Sequence, residues 1–112
     1  MTDCLFCSIV AGDIPADIVL RTPDFVAFRD INPQAPTHIL VVPTVHHRDI
    51  AELGSENPAL AGELLALTQR IAGDEGLTDY RLVFNTGAQA GQSVFHVHGH
   101  VLGGRDLKWP PG

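Results

Sequence analysis

Positive charge is scarce in this sequence, whose only lysine is Lys108. Seven Lys and Arg residues stand against thirteen Asp and Glu residues, so the formal net charge is −6 with histidine neutral. Nucleic acids and anionic membrane surfaces both require a basic patch, and the composition therefore predicts neither partner. A single nucleotide is not excluded, because backbone N–H groups and neutral side chains can hold one phosphate.

Long apolar runs are missing and cysteine is rare. No apolar stretch approaches the roughly 18 residues of a membrane helix, and the first residues lack the charged and apolar regions of a signal peptide. We therefore expect a cytoplasmic protein. In that compartment its two cysteines are more readily reduced or metal-bound than bridged.

The pattern of apolar residues and breakers predicts one α+β domain over residues 1–112. The chain is 45% hydrophobic, which is enough for an ordinary core. We expect a mostly antiparallel five-stranded sheet with two helices, largely on one face. One helix is predicted over 3–11 with Asp3 as N-cap, and the other over 57–73 with Asn57 as N-cap. The strands are predicted over 18–20, 25–28, 38–42, 81–85 and 94–102.

The last predicted strand carries three of the six histidines. Alternate residues of a strand face the same side, so His96, His98 and His100 are expected on one face. Three imidazoles in register are a poor packing device, because each leaves ring nitrogens to satisfy. Two chemistries are open: a zinc site with a vacant position, and a histidine nucleophile whose neighbours fix its tautomer.

A glycine-containing loop leads into this strand and favours the nucleophile. The sequence N-T-G at 85–87 opens the loop, and G-Q-S at 91–93 closes it. Such a loop can turn several backbone N–H groups toward an anion, which would place a phosphate beside His98. A metal site would have no need of the loop.

These segments resemble the histidine-triad (HIT) superfamily, whose signature alternates three histidines with apolar residues. Within it, the match is to the Hint branch, the purine nucleoside phosphoramidate hydrolases. The resemblance covers nearly the whole chain and rests on D-I-N-P-Q-A-P-T-H at 30–38, G-Q-S-V-F-H-V-H at 91–98, V-L-G-G-R at 101–105 and W-P-P-G at 109–112. Gly99 departs from the signature, which usually has a bulky apolar residue there, and this puts the packing behind the strand in question.

The resemblance implies a role for each catalytic position. His98 would be the nucleophile that becomes nucleotidylated, and His100 would contact the phosphate and stabilise the developing charge. His96 and His38 would order His98. Ser93 would donate a proton toward the leaving group.

The resemblance also implies how a nucleotide would be held. Gly91, Gln92 and Ser93 would line the phosphate, and Asn85 would hold the phosphate or the bridging region. Asp30 would accept hydrogen bonds from both ribose hydroxyls, which suits a carboxylate because it only accepts. The positions that would form the apolar purine slot, and that could equally be ordinary core, are Phe6, Ile9, Phe28, Ile31 and Leu40.

Cys4 and Cys7 form a C-x-x-C pair with three possible roles: a redox pair, half of a zinc site, or buried thiols. A closed zinc site needs two further ligands, and the resemblance to bacterial relatives offers His46 and His96. We predict a structural zinc that ties the N-terminal helix to the sheet and takes no part in the chemistry. His47 is expected to be a solvated loop residue.

The protein expected from this resemblance is a homodimeric nucleotide hydrolase without a catalytic cofactor. Its substrates would be purine nucleoside 5′-phosphoramidates, such as AMP or GMP conjugates, and its sheet would continue across both subunits. His98 would displace the amine, and water would then release the mononucleotide. Three alternatives stay open: a hydrolase of dinucleoside polyphosphates or other nucleotidyl anhydrides, a nucleotide-binding regulator, and a zinc hydrolase with the three histidines as ligands.

Overall fold

The structure is a computed structural model that describes residues 4–112. Its helices are α1 (Leu5–Ala11), α2 (Ile50–Glu56) and α3 (Pro58–Asp74), with a 3₁₀ turn at Ala88–Ala90. Its strands are β1 (Ile18–Arg21), β2 (Phe25–Arg29), β3 (Thr37–Pro43), β4 (Tyr80–Val83) and β5 (Gly99–Gly103). Over residues 4–112, none of the helices is both long and apolar enough to cross a membrane.

The five strands form one antiparallel sheet in the order β1-β2-β3-β5-β4. The predicted α+β class and five-stranded antiparallel sheet are therefore confirmed. The connection from β3 to β4 carries α2 and α3 and passes over β5, which lies between those two strands. In the centre of the sheet, His100 lies opposite Leu40 on β3 and Val83 on β4.

Alternation along the strands creates two apolar layers. One face of the sheet packs Ile39 and Val101 against Leu64 and Ile71 of α3. The other face packs α1 against the sheet, with Phe6 meeting Phe28 edge-on at 5.4 Å between ring centroids. Each fully buried side chain of this kind contributes about 1.5–3 kcal/mol. The helices thus cover both faces, with α2 and α3 on one and α1 on the other.

The described part of the chain contains three α-helices rather than the two that the sequence predicted, because the prediction missed α2. Asp49 caps α2 by accepting a hydrogen bond from the Glu52 N–H at 2.9 Å. The Glu52 carboxylate in turn accepts from the Arg48 N–H at 2.9 Å. An Asp followed three residues later by Glu is a helix-start signal, so the sequence held the information in D-I-A-E at 49–52.

Of the two predicted N-caps, the structure confirms one and does not describe the other. Asn57 accepts from the Leu60 N–H at 3.1 Å and precedes Pro58, as predicted for the start of α3. Asp3 lies outside the described residues, and the residue that caps α1 is Cys4, whose sulfur accepts from the Cys7 N–H at 3.3 Å. Both cysteines are therefore tied to the start of α1.

The last strand is shorter than predicted. Pairing with β3 begins at Gly99, so residues 94–98 precede β5 rather than forming its first half. The Val97 N–H donates instead to the carbonyl of His47, at 2.7 Å, in the loop that follows β3. The prediction of a strand over 94–102 was wrong at this end, because a loop contact replaced the strand ladder.

Gly99 makes room for an aromatic ring behind the histidines. A Cβ atom at this position would lie 2.9 Å from Cζ of Phe84 and 3.3 Å from Cδ1 of Leu82. Phe84 belongs to the layer that packs on the α3 side of the sheet. The departure from the family signature is thus accounted for: the ring of Phe84 fills the space that a bulky residue would take.

Candidate functional site

The three histidines of the motif lie on the α1 face of the sheet. The ring of Phe6 contacts those of His96 and His98, with centroid distances of 6.1 and 4.9 Å, and His98 lies 4.9 Å from His100. Val97 is buried in the layer on the opposite face. Although residues 94–98 are outside the ladder, the alternation that the sequence predicted is present.

The tautomer of His98 follows from its contact with the main chain. Nδ1 of His98 lies 2.7 Å from the carbonyl oxygen of His96. A carbonyl only accepts, so Nδ1 must carry the proton and donate it. The other nitrogen, Nε2, then holds the lone pair in the neutral ring. His98 is therefore arranged for nucleophilic attack through Nε2.

A series of hydrogen bonds from Gln34 through His38 determines the tautomer of His100. The Gln34 N–H donates to Nδ1 of His38 at 3.1 Å, which leaves the proton of neutral His38 on Nε2. That Nε2 lies 2.9 Å from Nδ1 of His100 and donates to it. His100 must then carry its own proton on Nε2, a buried nitrogen that has no hydrogen-bond partner among residues 4–112. An unsatisfied buried donor is costly, and here it is available to an acceptor such as a phosphate oxygen.

Burial keeps the histidines of the site neutral. Loss of hydration lowers the pKa of His98 and of His38, because a buried environment disfavours the charged ring. The same effect, with the neighbouring rings of His98 and His38 adding to it, lowers the pKa of His100 to about 4. At neutral pH the site therefore presents a lone pair on His98 and an N–H on His100.

A cavity of about 260 Å³ opens beside these rings. All five positions predicted for the purine slot line it, and four of them also belong to the buried layer under α1. The fifth, Ile31, is 99% exposed. The four buried positions are thus both core residues and part of the cavity lining. The lining residues that sequence reasoning missed are Leu5, Ile14, Pro15, Ala16 and Arg29.

Asp30 lines the same cavity at the end of β2. One carboxylate oxygen accepts from the Asn32 N–H at 2.8 Å, and the other lies 3.5 Å from Nε2 of His38. These contacts fix the orientation of the carboxylate while leaving it further lone pairs. It is therefore available as an acceptor at the rim of the cavity.

The loop before the histidines is held together by Gln92. Its side chain is 3% exposed, accepts from the Gly87 N–H at 2.9 Å, and donates to the carbonyls of Arg48 and Val94 at 2.7 and 3.1 Å. The polar atoms of the side chain are thus bonded inside the protein, and the contact between Gln92 and a phosphate stays a prediction. Ser93 is exposed and lines the cavity.

Asn85 and Gly91 lie next to each other on this loop but outside the lining of the cavity. A Cβ atom at Gly91 would be 3.5 Å from Nδ2 of Asn85, and the φ of Gly91 is 98°, a conformation that favours glycine. The described cavity therefore includes Ser93 but neither of these two predicted phosphate contacts.

A second cluster joins α1 to the loop after β3. Nδ1 of His96 lies 3.3 Å from the sulfur of Cys4 and 3.4 Å from that of Cys7, and Nδ1 of His46 lies 3.3 Å from the Cys7 sulfur. The four donor atoms lie within 4.8 Å of one another. The structure thus brings together all four residues predicted as zinc ligands.

His96 is oriented as a ligand. Its Nε2 lies 2.8 Å from the carbonyl of Pro43, so the proton is on Nε2 and the lone pair on Nδ1 faces the two sulfurs. Two thiols and two imidazoles are a donor set that zinc prefers in closed structural sites. The neighbouring His47 is 8% exposed, with Nδ1 at 3.4 Å from a carboxylate oxygen of Glu56. The expectation of a solvated His47 was wrong: the residue is buried, and its carbonyl accepts a hydrogen bond from the Val97 N–H.

The three histidines of the motif do not form a metal site with one another. His96 turns toward the cysteines, and His98 donates Nδ1–H to a carbonyl. Among the described residues, the metal-competent groups that include motif histidines are Cys4-Cys7-His46-His96 and Asp30-His38-His100. The zinc-hydrolase alternative, in which all three act as ligands, is therefore contradicted by their orientation.

Comparison with known proteins identifies the family of the chain. The HIT domain family matches residues 11–107. An uncharacterized HIT-like protein of Synechococcus elongatus is 50% identical over 111 residues, 98% of this chain and 97% of that protein. A 14 kDa zinc-binding protein of Zea mays is 44% identical over 111 residues, 96% of this chain and 87% of that protein.

Solved structures give the same result. A HIT family hydrolase from Legionella pneumophila Philadelphia 1 has a TM-score of 0.94 at 46% identity, covering 98% of this chain and 100% of that chain. A HIT family hydrolase from Clostridium thermocellum has a TM-score of 0.90 at 35% identity, covering 96% of each chain. The chain belongs to the HIT domain family, and the superfamily predicted from the sequence is confirmed.

Proposed function

We propose that this protein hydrolyses purine nucleoside 5′-phosphoramidates, such as AMP or GMP bonded to an amine, as members of the Hint branch do. The observation that carries the proposal is the pair of ring nitrogens at the cavity: a lone pair on Nε2 of His98 and a proton on Nε2 of His100. Two structural neighbours that are named as HIT family hydrolases support it.

The first step would transfer the nucleotide to the protein. Nε2 of His98 attacks the α-phosphorus, and the bond from phosphorus to the amine nitrogen breaks as the new one forms. The Nε2–H of His100 donates to a phosphate oxygen, where negative charge accumulates. The departing nitrogen takes a proton from the Ser93 hydroxyl, since an unprotonated amine is a poor leaving group.

The second step would release the mononucleotide. A water oxygen attacks the phosphorus, and the bond to His98 breaks. One water proton restores the Ser93 hydroxyl, and the other stays on the phosphate of the mononucleotide. The net reaction consumes one water and yields a nucleoside monophosphate and a free amine. The bond from Nδ1 of His98 to the His96 carbonyl persists throughout and stabilises the cationic ring of the intermediate.

The cavity would hold the nucleoside. Apolar side chains such as Phe6, Phe28 and Leu40 offer an apolar contact surface for a purine. Asp30 offers acceptor oxygens to the two ribose hydroxyls at the rim. In this proposal the base would contact these apolar side chains, and the phosphate would lie against His98 and His100.

A substrate panel tests the proposal, with release of the mononucleotide as the readout. It compares an AMP–alkylamine phosphoramidate, the corresponding GMP compound and a diadenosine polyphosphate at equal concentration. We expect the phosphoramidates to have the higher kcat/KM. Faster cleavage of the polyphosphate would favour the nucleotidyl-anhydride alternative, and binding of AMP without turnover of any substrate would favour the regulator.

We further propose a structural zinc held by Cys4, Cys7, His46 and His96. The donor set and the ligand tautomer of His96 support it, as does the name of the relative from Zea mays. Zinc would fix the start of α1 to the sheet. Because zinc binds thiolates, the proposal fits reduced cysteines and a cytoplasmic location. Metal analysis of protein purified without added zinc should give about one zinc per chain, and a reduced protein free of metal would refute it.

We also propose a homodimer whose sheet continues across the two subunits. The edge strand β4 carries the half-exposed Tyr80, and α3 presents the exposed Leu65. A chain of this length gains stability from burying such surface. Light scattering at micromolar concentration should give twice the chain mass, and a stable monomer would reject the dimer.

A further inference from the structure

His96 is shared between the cysteine cluster and the nucleophile. Its Nδ1 faces the sulfurs of Cys4 and Cys7, whereas its carbonyl oxygen accepts the Nδ1 proton of His98 at 2.7 Å. The ring is completely buried, and its Nε2 is fixed to the Pro43 carbonyl at 2.8 Å. One residue thus connects a candidate metal site to the atom that sets the tautomer of the nucleophile.

From this connection we propose that the cluster of Cys4, Cys7, His46 and His96, when it holds its metal, positions His98 for attack. His96 and His46 are then positioning residues for the reaction rather than parts of a remote structural site. The inference rests on the proposed function in two respects, namely that His98 is the nucleophile and that the cluster holds zinc.

The segment that carries His96 lies outside the strand ladder and is held by contacts with the end of β3 and the loop after it. Residues 94–98 precede β5, so they lack the ladder bonds that fix His100. The backbone of Val97 is held by the carbonyl of His47, which directly follows the cluster residue His46. Residues 94–98 and the loop after β3 are therefore linked twice. The cluster links their side chains, and the 2.7 Å hydrogen bond from Val97 to His47 links their backbones.

Loosening the cluster should act on the tautomer of His98. If the His96 carbonyl moves away, Nδ1 of His98 loses the acceptor that keeps its proton there. The proton then distributes over both ring nitrogens, and Nε2 loses its lone pair in part of the population. Attack slows, and binding of AMP weakens as well, because Phe6 and Ile9 line the cavity from α1, the helix that begins at the cluster. The expected signature is therefore a changed tautomer of His98 together with a lower kcat.

The test compares two substitutions at one exposed ligand, His46. His46→Ala removes a ligand, whereas His46→Cys keeps a four-ligand zinc set of a known type. Nitrogen NMR of the His98 ring, assigned by its loss in His98→Ala, reports the tautomer directly. Calorimetry with AMP reports affinity, and turnover of the AMP–alkylamine phosphoramidate reports kcat.

We expect zinc-loaded wild type and His46→Cys to keep the proton on Nδ1 of His98. His46→Ala should show the proton on both nitrogens and a kcat lower by about tenfold or more, as for other partners that orient a functional histidine. Leu64→Ala is the control. It creates a cavity in the apolar layer under α3, which lowers stability without touching the cluster, and it should leave the tautomer of His98 unchanged.

An unchanged His98 tautomer in folded His46→Ala would overturn the inference. A proton shared between both nitrogens of His98 in Leu64→Ala would overturn it as well. Should His46→Ala fail to fold, partial removal of zinc from wild type with a chelator gives the same comparison at fixed sequence. Because the NMR readout needs no substrate, wild type that fails to turn over any phosphoramidate would refute the proposed function without deciding the tautomer.

Discussion

Nδ1 of His98 donates its proton to the main-chain carbonyl of His96 across 2.7 Å. This bond fixes which nitrogen of His98 holds the lone pair, and thereby which atom can attack. The complementary arrangement is the buried N–H of His100, fixed by the chain from Gln34 through His38. Two histidines of one motif thus have opposite tautomers, and each tautomer matches one half of the proposed chemistry.

Substitution of Gly99 should destabilise the sheet behind the histidines. In Gly99→Ala the new Cβ would lie 2.9 Å from Cζ of Phe84, and overpacking of this kind costs about 1–3 kcal/mol. Phe84→Leu should relieve the clash, so the double variant should lose less than the sum of the two single variants. Urea denaturation measures the free energy of unfolding of each.

Gly62→Ala provides the matched control for that experiment. Gly62 lies inside α3, and a Cβ there would meet nothing within 4 Å. Alanine at this position should raise the free energy of unfolding by about 0.5–1 kcal/mol. Strictly additive losses at Gly99 and Phe84 would show that the two residues do not compete for the same space.

Removing the hydroxyl of Ser93 should affect substrates according to their leaving groups. Ser93→Ala should slow release of AMP from an alkylamine much more than from a nitrophenyl ester, because an amine needs protonation and nitrophenolate does not. The measured quantity is the ratio of kcat/KM values for the two substrates in each protein. Equal slowing of both would show that Ser93 only shapes the phosphate site.

The buried neutral His100 should make the protein sensitive to mild acid. Its pKa is lowered to about 4, whereas an unfolded histidine titrates near 6.5. Between these values the unfolded state binds a proton that the folded state does not, so stability falls as the pH drops from about 6.5 to 4. The rings of His38 and His98 face it, and the Asp30 carboxylate lies beside them.

Urea denaturation at several pH values tests this prediction. Wild type should lose about 2 kcal/mol from His100 over that range, and His100→Asn should lose correspondingly less. An equal loss in the two proteins would show that His100 titrates normally in the folded state. The residual slope in the variant belongs to the other buried histidines.

The sequence predicted the parts of the site that depend on alternation and on local signals. The common face of His96, His98 and His100 follows from alternation and persists even where the strand ladder does not. The start of α3 at Asn57 and Pro58 follows from capping chemistry. The cysteine and histidine ligand set followed from resemblance, and the structure brings its members together.

What the sequence could not predict depends on contacts between distant segments. The motif that contains Gln92 does not indicate the three partners inside the protein that hold its side chain. His47 is buried because its carbonyl meets Val97, fifty residues later in the chain. The space behind Gly99 is filled by Phe84, a residue that no local pattern connects with the histidines.

The central claim is that His98 is the covalent nucleophile, and rapid-quench mass spectrometry with an AMP–alkylamine phosphoramidate tests it most directly. Circular dichroism and AMP binding confirm that His98→Ala is folded with its cavity intact. The account predicts a transient AMP adduct mapped to His98 in wild type, none in His98→Ala, and turnover lower by at least about 10³-fold in the variant. Near-normal turnover by folded His98→Ala, or an adduct on another residue, would contradict the account.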